Sequence, residues 1–166
     1  YATMNVATGR KIKQLIGIIA RSVPVKPNMS TLSTVLDTSR NSIADYFIYL
    51  EEAGLITLLR DSTSGVRGLG KVNKVYLDNT ALVYNLAEEE VNIGNIRETF
   101  FYNQMRLNHE VVSSDIADFT IGKYTFEIGG KNKKQKQIES VEDAFVVKDD
   151  IESGYLNVIP LWMFGL

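Results

Sequence analysis

A chain of 166 residues with 45% apolar and 23% charged side chains can bury a proper core as one domain or two small ones, and its composition is ordinary for a globular protein. It has no cysteine and one histidine, His109, which excludes disulfides, thiolate metal sites and histidine clusters and argues against zinc hydrolase or Ser-His-Asp chemistry. No apolar run approaches the roughly 18 residues of a membrane span, and Ala2 to Gly9 has none of the features of a signal peptide, so a cytoplasmic location with no membrane partner is expected.

Charge is uneven along the chain. Residues 1–85 carry ten Lys/Arg against six Asp/Glu, a net of +4, while residues 86–166 carry eight against fourteen, a net of −6. That asymmetry predicts two modules with different partners, one over 1–85 and one over 86–166. The start at Tyr1-Ala-Thr-Met4 and the apolar end Pro160-Leu-Trp-Met-Phe-Gly-Leu166 read as a segment of a longer protein. Association into oligomers is left open.

Ile12, Leu15, Ile16 and Ile19 fall at i, i+3, i+4 and i+7, which predicts a helix over Arg10–Arg21 that Pro24 and Pro27 stop. Asn28-Met-Ser30 caps a short helix over Thr31–Leu36, and Asp37-Thr38 makes a turn. From Ser39 a second helix places Ile43, Phe47 and Leu50 on one face and ends at Gly54, a suitable residue just past a helix C-terminus. Helix, turn and helix are followed by a strand over Leu55–Leu59, a loop over Asp61–Gly70 and a returning strand over Lys71–Leu77, which together predict a winged helix-turn-helix. The second helix of such a reader enters the major groove, making Ser39, Arg40, Asn41 and Ser42 the expected DNA contacts. Arg67 and Lys71 in the wing would hold phosphates. Asp45, Glu51 and Glu52 on the same helix favour the alternative of a packing or protein-contact module.

Gly65-Val-Arg-Gly-Leu-Gly70-Lys71 has the GxxxxGK spacing of a phosphate-binding loop, but Val72 replaces the hydroxyl residue and the glycines lead into a strand-like run rather than a helix. No nucleotide cofactor is therefore expected. Beyond it, Asp78-Asn-Thr80 caps a short helix over Ala81–Leu86, and Ala87-Glu-Glu-Glu-Val91 leads away. Gly94 begins a longer helix through Leu107 with Ile96, Phe100, Phe101, Met105 and Leu107 as apolar members and Glu98 in its first turns.

Asp118-Phe-Thr-Ile121 and Tyr124-Thr-Phe-Glu-Ile128 are short runs rich in β-branched and aromatic residues, separated by Gly122-Lys123, and predict a tight hairpin. Antiparallel pairing then sets Asp118 and Glu127 side by side. Two neighbouring carboxylates repel, and a divalent cation with oxygen ligands, Mg²⁺ or Mn²⁺, would relieve that repulsion. Gly129-Gly130 and a basic run at Lys131, Lys133, Lys134 and Lys136 follow, cations suited to a phosphate backbone. Gln135 and Gln137 are weaker phosphate candidates. Gln135–Ile138 is expected to run on into a helix through Ala144, followed by a buried strand over Ala144–Val147, a polar turn at Asp149–Gly154 and a last strand over Asn157–Trp162 whose Pro160 favours an edge.

An Asp, a hairpin, then Glu127 near the end of the second strand resembles the core of the PD-(D/E)XK nuclease superfamily, in which carboxylates bind metal and a lysine assists the attacking water. Glu98, Asp118 and Glu127 come in the order in which such cores supply their acids. The chain departs at one position: two residues after Glu127 stands Gly129 instead of lysine, and Lys131 is the nearest substitute. More widely, Lys74-Val-Tyr-Leu-Asp-Asn-Thr-Ala-Leu82, Gly94-Asn-Ile-Arg-Glu-Thr-Phe-Phe-Tyr-Asn103, Asp118-Phe and Phe126-Glu-Ile-Gly-Gly-Lys131 resemble the C-terminal region of a family of prokaryotic AAA-type ATPases over about residues 10–166. The resemblance implies an α+β chain, a winged helix-turn-helix followed by a small α/β restriction-endonuclease-like domain, with an ATPase module upstream. It implies metal ligands at Glu98, Asp118 and Glu127, charge stabilisation by Lys131, and either phosphodiester cleavage or a non-catalytic docking role beside the ATPase.

Overall fold

The computed structural model describes residues 5–61, 71–86 and 90–166. It is mixed α+β. Among the described residues, those within Tyr1–Leu58 and Lys74–Val91 form one compact unit, and those within Leu59–Asn73 and Asn92–Leu166 form a second.

The first unit is built from α1 (Val6–Ala20), α2 (Met29–Val35), α3 (Arg40–Glu52) and α4 (Thr80–Leu86) with the larger part of a two-stranded sheet of β1 (Ile56–Arg60) and β2 (Val72–Leu77), whose ends at Leu59–Arg60 and Val72–Asn73 are grouped with the second unit. Each of the first three helices starts at a polar cap: the side chains of Asn5, Asn28 and Ser39 accept the backbone N–H of Ala7, Thr31 and Ser42, satisfying donors that the helix itself leaves open. Gly54 ends α3 at φ +66°, and the bonds Gly54 N–H to Glu51 O and Leu55 N–H to Leu50 O close a Schellman motif that turns the chain into β1. Val25 exchanges two backbone hydrogen bonds with Val75 at 3.1 and 2.8 Å, adding a short antiparallel rung. Leu15, Ile19, Ile43, Phe47, Leu50, Val75 and Leu77 are buried in this core. The stripe expected on α1 centres on Leu15 and Ile19, with Ile12 and Ile16 half-buried.

The second unit sets α5 (Ile93–Met105) against a five-stranded sheet of order β3-β4-β5-β6-β7, comprising Val111–Ser113, Phe119–Ile121, Tyr124–Gly129, Ala144–Lys148 and Val158–Pro160. The first three strands run antiparallel and the last two join parallel. The hairpin at Gly122-Lys123 forms as its sequence predicts, with Ile121 opposite Tyr124 and Gly122 at φ +58°, a region glycine enters freely. Side chains alternate across β5: Phe126 faces α5, its ring 5.2 Å from that of Phe101, and Phe101 also packs on Phe119 and Phe164 at 5.3 and 4.8 Å. Thr125, Glu127 and Gly129 therefore occupy the other face.

Three expectations are corrected here. The segment after Lys134 is a series of turns, not a helix running to Ala144: Ile138 N–H bonds to Gln135 O and Val141 N–H to Ile138 O. Ile138, Val141 and Ala144 are spaced by three, and the tight turns with bonds between residues three apart carry Ile138 and Val141 onto the face of Ala144 and Val146. The last strand stops at Pro160 and a 3₁₀ helix covers Leu161–Gly165; β7 is an edge strand, where a proline is tolerated. Leu107 lies beyond the end of α5 and is exposed.

Candidate functional site

The β4–β5 register pairs Phe119 with Phe126, so one step outward Asp118 stands opposite Glu127. Asp118 closes the ladder: its N–H donates to Phe126 O at 3.1 Å, and its carboxylate accepts Ile128 N–H at 2.8 Å. Glu127 is 2% exposed. Its Oε1 is ion-paired with Lys133 Nζ, and its Oε2 is buried with no hydrogen-bond partner among the described residues. Burial first, and then the negative charges of Asp118 and Glu98, push the Glu127 carboxyl above its ordinary value, while the Lys133 ammonium acts in the opposite direction. Glu98, on α5, thus lies within electrostatic reach of the pair of acids on the hairpin.

The lysine beside Glu127 is Lys133, which the sequence placed among phosphate contacts, and Lys131 is exposed. Gly129 and Gly130 explain the substitution. Lys133 N–H bonds back to Gly130 O at 2.9 Å, a turn that folds the basic run over the strand end. A Cβ added to Gly129 would lie 2.6 Å from Lys133 Cβ and Cγ and 2.7 Å from Cδ, so the stem of Lys133 fills the space into which a side chain at position 129 would project. Spacing alone hid this. A glycine pair followed by lysine within one turn was the available signal.

Arg97 braces the same strand end. It donates from Nε to Asp149 at 2.9 Å and from a terminal nitrogen to Asp150 at 3.2 Å, and its guanidinium lies 3.0 Å from where a Cβ on Gly130 would stand. Asp149 N–H in turn bonds to Gly129 O at 2.9 Å. One residue before Asp149, Lys148 ends β6 opposite Gly129 in the parallel register.

Lys134 and Lys136 are exposed, as is Gln137. Gln135 is tied to Asn157 at 3.1 Å and Asn157 to Ala144 O at 3.0 Å, so it joins the crossover to the β6–β7 connection. In the first unit Ser39, Arg40 and Asn41 are exposed at the start of α3 and Ser42 is half-buried; the Ser39 hydroxyl is engaged as the cap, with its oxygen 3.0 Å from Ser42 N. Glu51 accepts Leu58 N–H and so does not belong to the outward charge that Asp45 and Glu52 present. Lys71 is exposed, and it and Asp61 exchange two hydrogen bonds at 3.0 Å. Arg67, most of the wing and most of the GxxxxGK match lie outside the described residues. His109 is exposed after the end of α5.

An orphaned, buried carboxylate oxygen beside a second acid suits an oxygen-liganded cation such as Mg²⁺ or Mn²⁺. Among the described residues no three His, Cys, Asp or Glu side chains stand close enough together to hold a metal: Asp118 and Glu127 are strand neighbours with Lys133 paired to Glu127, and Glu98 acts on Glu127 through its charge. No helix among them is long and apolar enough to cross a membrane. Comparison with known proteins gives no matching family model, no matching curated protein and no matching solved structure.

The raised Glu127 carboxyl gives a signed pH dependence. Between its ordinary pKa and the higher folded value the folded state binds more protons than the unfolded one, so this group costs stability increasingly as pH rises through that window and costs nothing below it. The stability of Glu127→Gln minus that of the wild type, followed by chemical denaturation from about pH 5 to pH 8, should therefore move in the variant's favour as pH rises. A flat or opposite difference contradicts the burial argument.

Proposed function

We propose that the second unit is a divalent-metal-dependent phosphodiesterase core of the nuclease kind and that the first unit is a winged helix-turn-helix serving nucleic-acid contact. The observation that carries this reading is the buried Glu127, held beside Asp118, within the field of Glu98, and paired with a lysine that enters over Gly129. Such an arrangement is costly for stability alone, since a buried carboxylate must be compensated, and it matches the order of acids in the PD-(D/E)XK likeness. Lys133 takes the part that Lys131 was expected to play.

In this reading Asp118 and Glu127, with Glu98 approaching from α5, are the metal ligands. A bound Mg²⁺ or Mn²⁺ supplies Lewis-acid stabilisation and a water of lowered pKa. Lys133 offers positive charge where negative charge develops on the phosphate, and Lys134 and Lys136 meet the nucleic-acid backbone. The order of α1, the Val25 rung, α2, α3 and the β1–β2 hairpin supports the winged reading, with Arg40 and Asn41 as groove contacts and Lys71 as a phosphate contact. By the ATPase likeness, the pair of units works downstream of an ATPase module of the same protein.

A second reading has its own support. Lys133 already supplies Glu127 with a counter-ion and no ready-made triad of acids stands among the described residues, which favours a non-catalytic docking module.

Cleavage of a labelled duplex with Mn²⁺ separates the two. Lys133→Met should lower the rate by about a hundredfold or more, and in a Lys133→Gly background, where the stem that a Cβ on Gly129 would meet is gone, Gly129→Lys should restore part of it by returning an ammonium to the strand end. No cleavage by the wild type with Mn²⁺ or Mg²⁺ moves the assignment to the docking reading. For the first unit, Arg40→Ala should weaken duplex binding and reduce its salt slope by about one; an unchanged slope argues that α3 faces something other than DNA.

A further inference from the structure

Lys148 is a buried lysine that the site described above does not use. It is 9% exposed, ends β6, and stands opposite Gly129 in the parallel register, so its side chain emerges on the face that carries Glu127. The Lys133 stem lies across Gly129, and two lysine stems therefore flank one strand end. Their partners differ. Lys133 is neutralised by Glu127, whereas among the described residues no carboxylate makes an ion pair with Lys148. The two acids that follow it in sequence, Asp149 and Asp150, are engaged by Arg97. Neither a hydrogen bond nor an ion pair joins the Lys148 side chain to another described residue, and its ammonium is not among the buried atoms that lack a partner, so a mostly buried side chain brings its charge to solvent at the carboxyl ends of the parallel strands, where open α/β sheets bind their ligands.

We infer that Lys148 is a phosphate-contacting residue that binds an anionic oxygen of a nucleic-acid phosphodiester beside Glu127, while Lys133 stays with the carboxylate. This rests on the phosphodiesterase reading for its ligand, and the geometry distinguishes it from simple snorkelling of a core lysine. Snorkelling requires only that the head reach water. Here the Lys148 stem also leaves the sheet at the strand end that the Lys133 stem crosses, on the face that carries Glu127.

The test is binding of a fluorescent 12-base-pair duplex to the full chain (about one helical turn), with Ca²⁺ present, over a series of salt concentrations. Parallel calorimetric titrations use Mn²⁺ alone and inorganic phosphate alone. Lys148→Met, which keeps the stem, should weaken duplex binding roughly tenfold and reduce the salt slope by about one, with Mn²⁺ affinity unchanged; Lys148→Arg should keep the wild-type slope. An unchanged slope in Lys148→Met overturns the inference, as does a wild type that binds no duplex, or Lys148-dependent binding of inorganic phosphate with no Lys148 effect on the duplex. Mn²⁺ binding with no Lys148 effect on the duplex would leave the metal reading standing and sink this one. A Lys148-dependent duplex slope without Mn²⁺ binding would do the reverse.

Discussion

The second unit is organised around one expensive group, the carboxylate of Glu127 in the middle of β5. A charge taken out of water must be paired or neutralised, and the chain does half of this: Oε1 meets Lys133, while Oε2 has no hydrogen-bond partner among the described residues. Burial and the neighbouring Asp118 and Glu98 all push the carboxyl toward its neutral form, with Lys133 opposing them. A fold selected for stability alone would do better with an apolar residue at that position. In the proposed reading that oxygen is the one a cation would take.

The elements around β5 follow from holding that group. Gly129 must lack a side chain for the Lys133 stem to cross it, and Gly130 must lack one for the Arg97 guanidinium to lie against it. Arg97 joins α5 to Asp149 and Asp150 after β6, and Asp149 bonds to Gly129, so one network ties the helix that carries Glu98 to the strand ends that carry Glu127 and Lys148. On the opposite face the packing of Phe101 on Phe119, Phe126 and Phe164 sets α5 against the sheet. Aromatic packing there fixes the helix on which Glu98 approaches.

What the sequence disclosed was local. The cap at Asn28, the stop at Gly54 and the hairpin at Gly122-Lys123 depend on residues within one turn, and each forms where its chemistry requires. The opposition of Asp118 and Glu127 followed from that hairpin. What escaped was decided by distant partners. Ile138 and Val141 choose tight turns because the face of Ala144 and Val146 awaits them, and β3 is a three-residue strand too short for alternation to register. Lys133 displaced Lys131 because two bare glycines let the chain double back. Arg97 reaches an acid 52 residues away, and Lys148 acquires its place only through the parallel register with Gly129. No spacing rule reports such contacts.

In the proposed reading, with Lys133 already beside Glu127, a divalent cation would share that carboxylate with a lysine and draw on Asp118 for its second ligand. Titration calorimetry of the chain with Mn²⁺, beside the Asp118→Ala, Glu127→Ala double variant, tests this most directly. The account predicts saturable binding by the wild type that is lost in the folded double variant; no binding by the wild type, or equal binding by both, contradicts it.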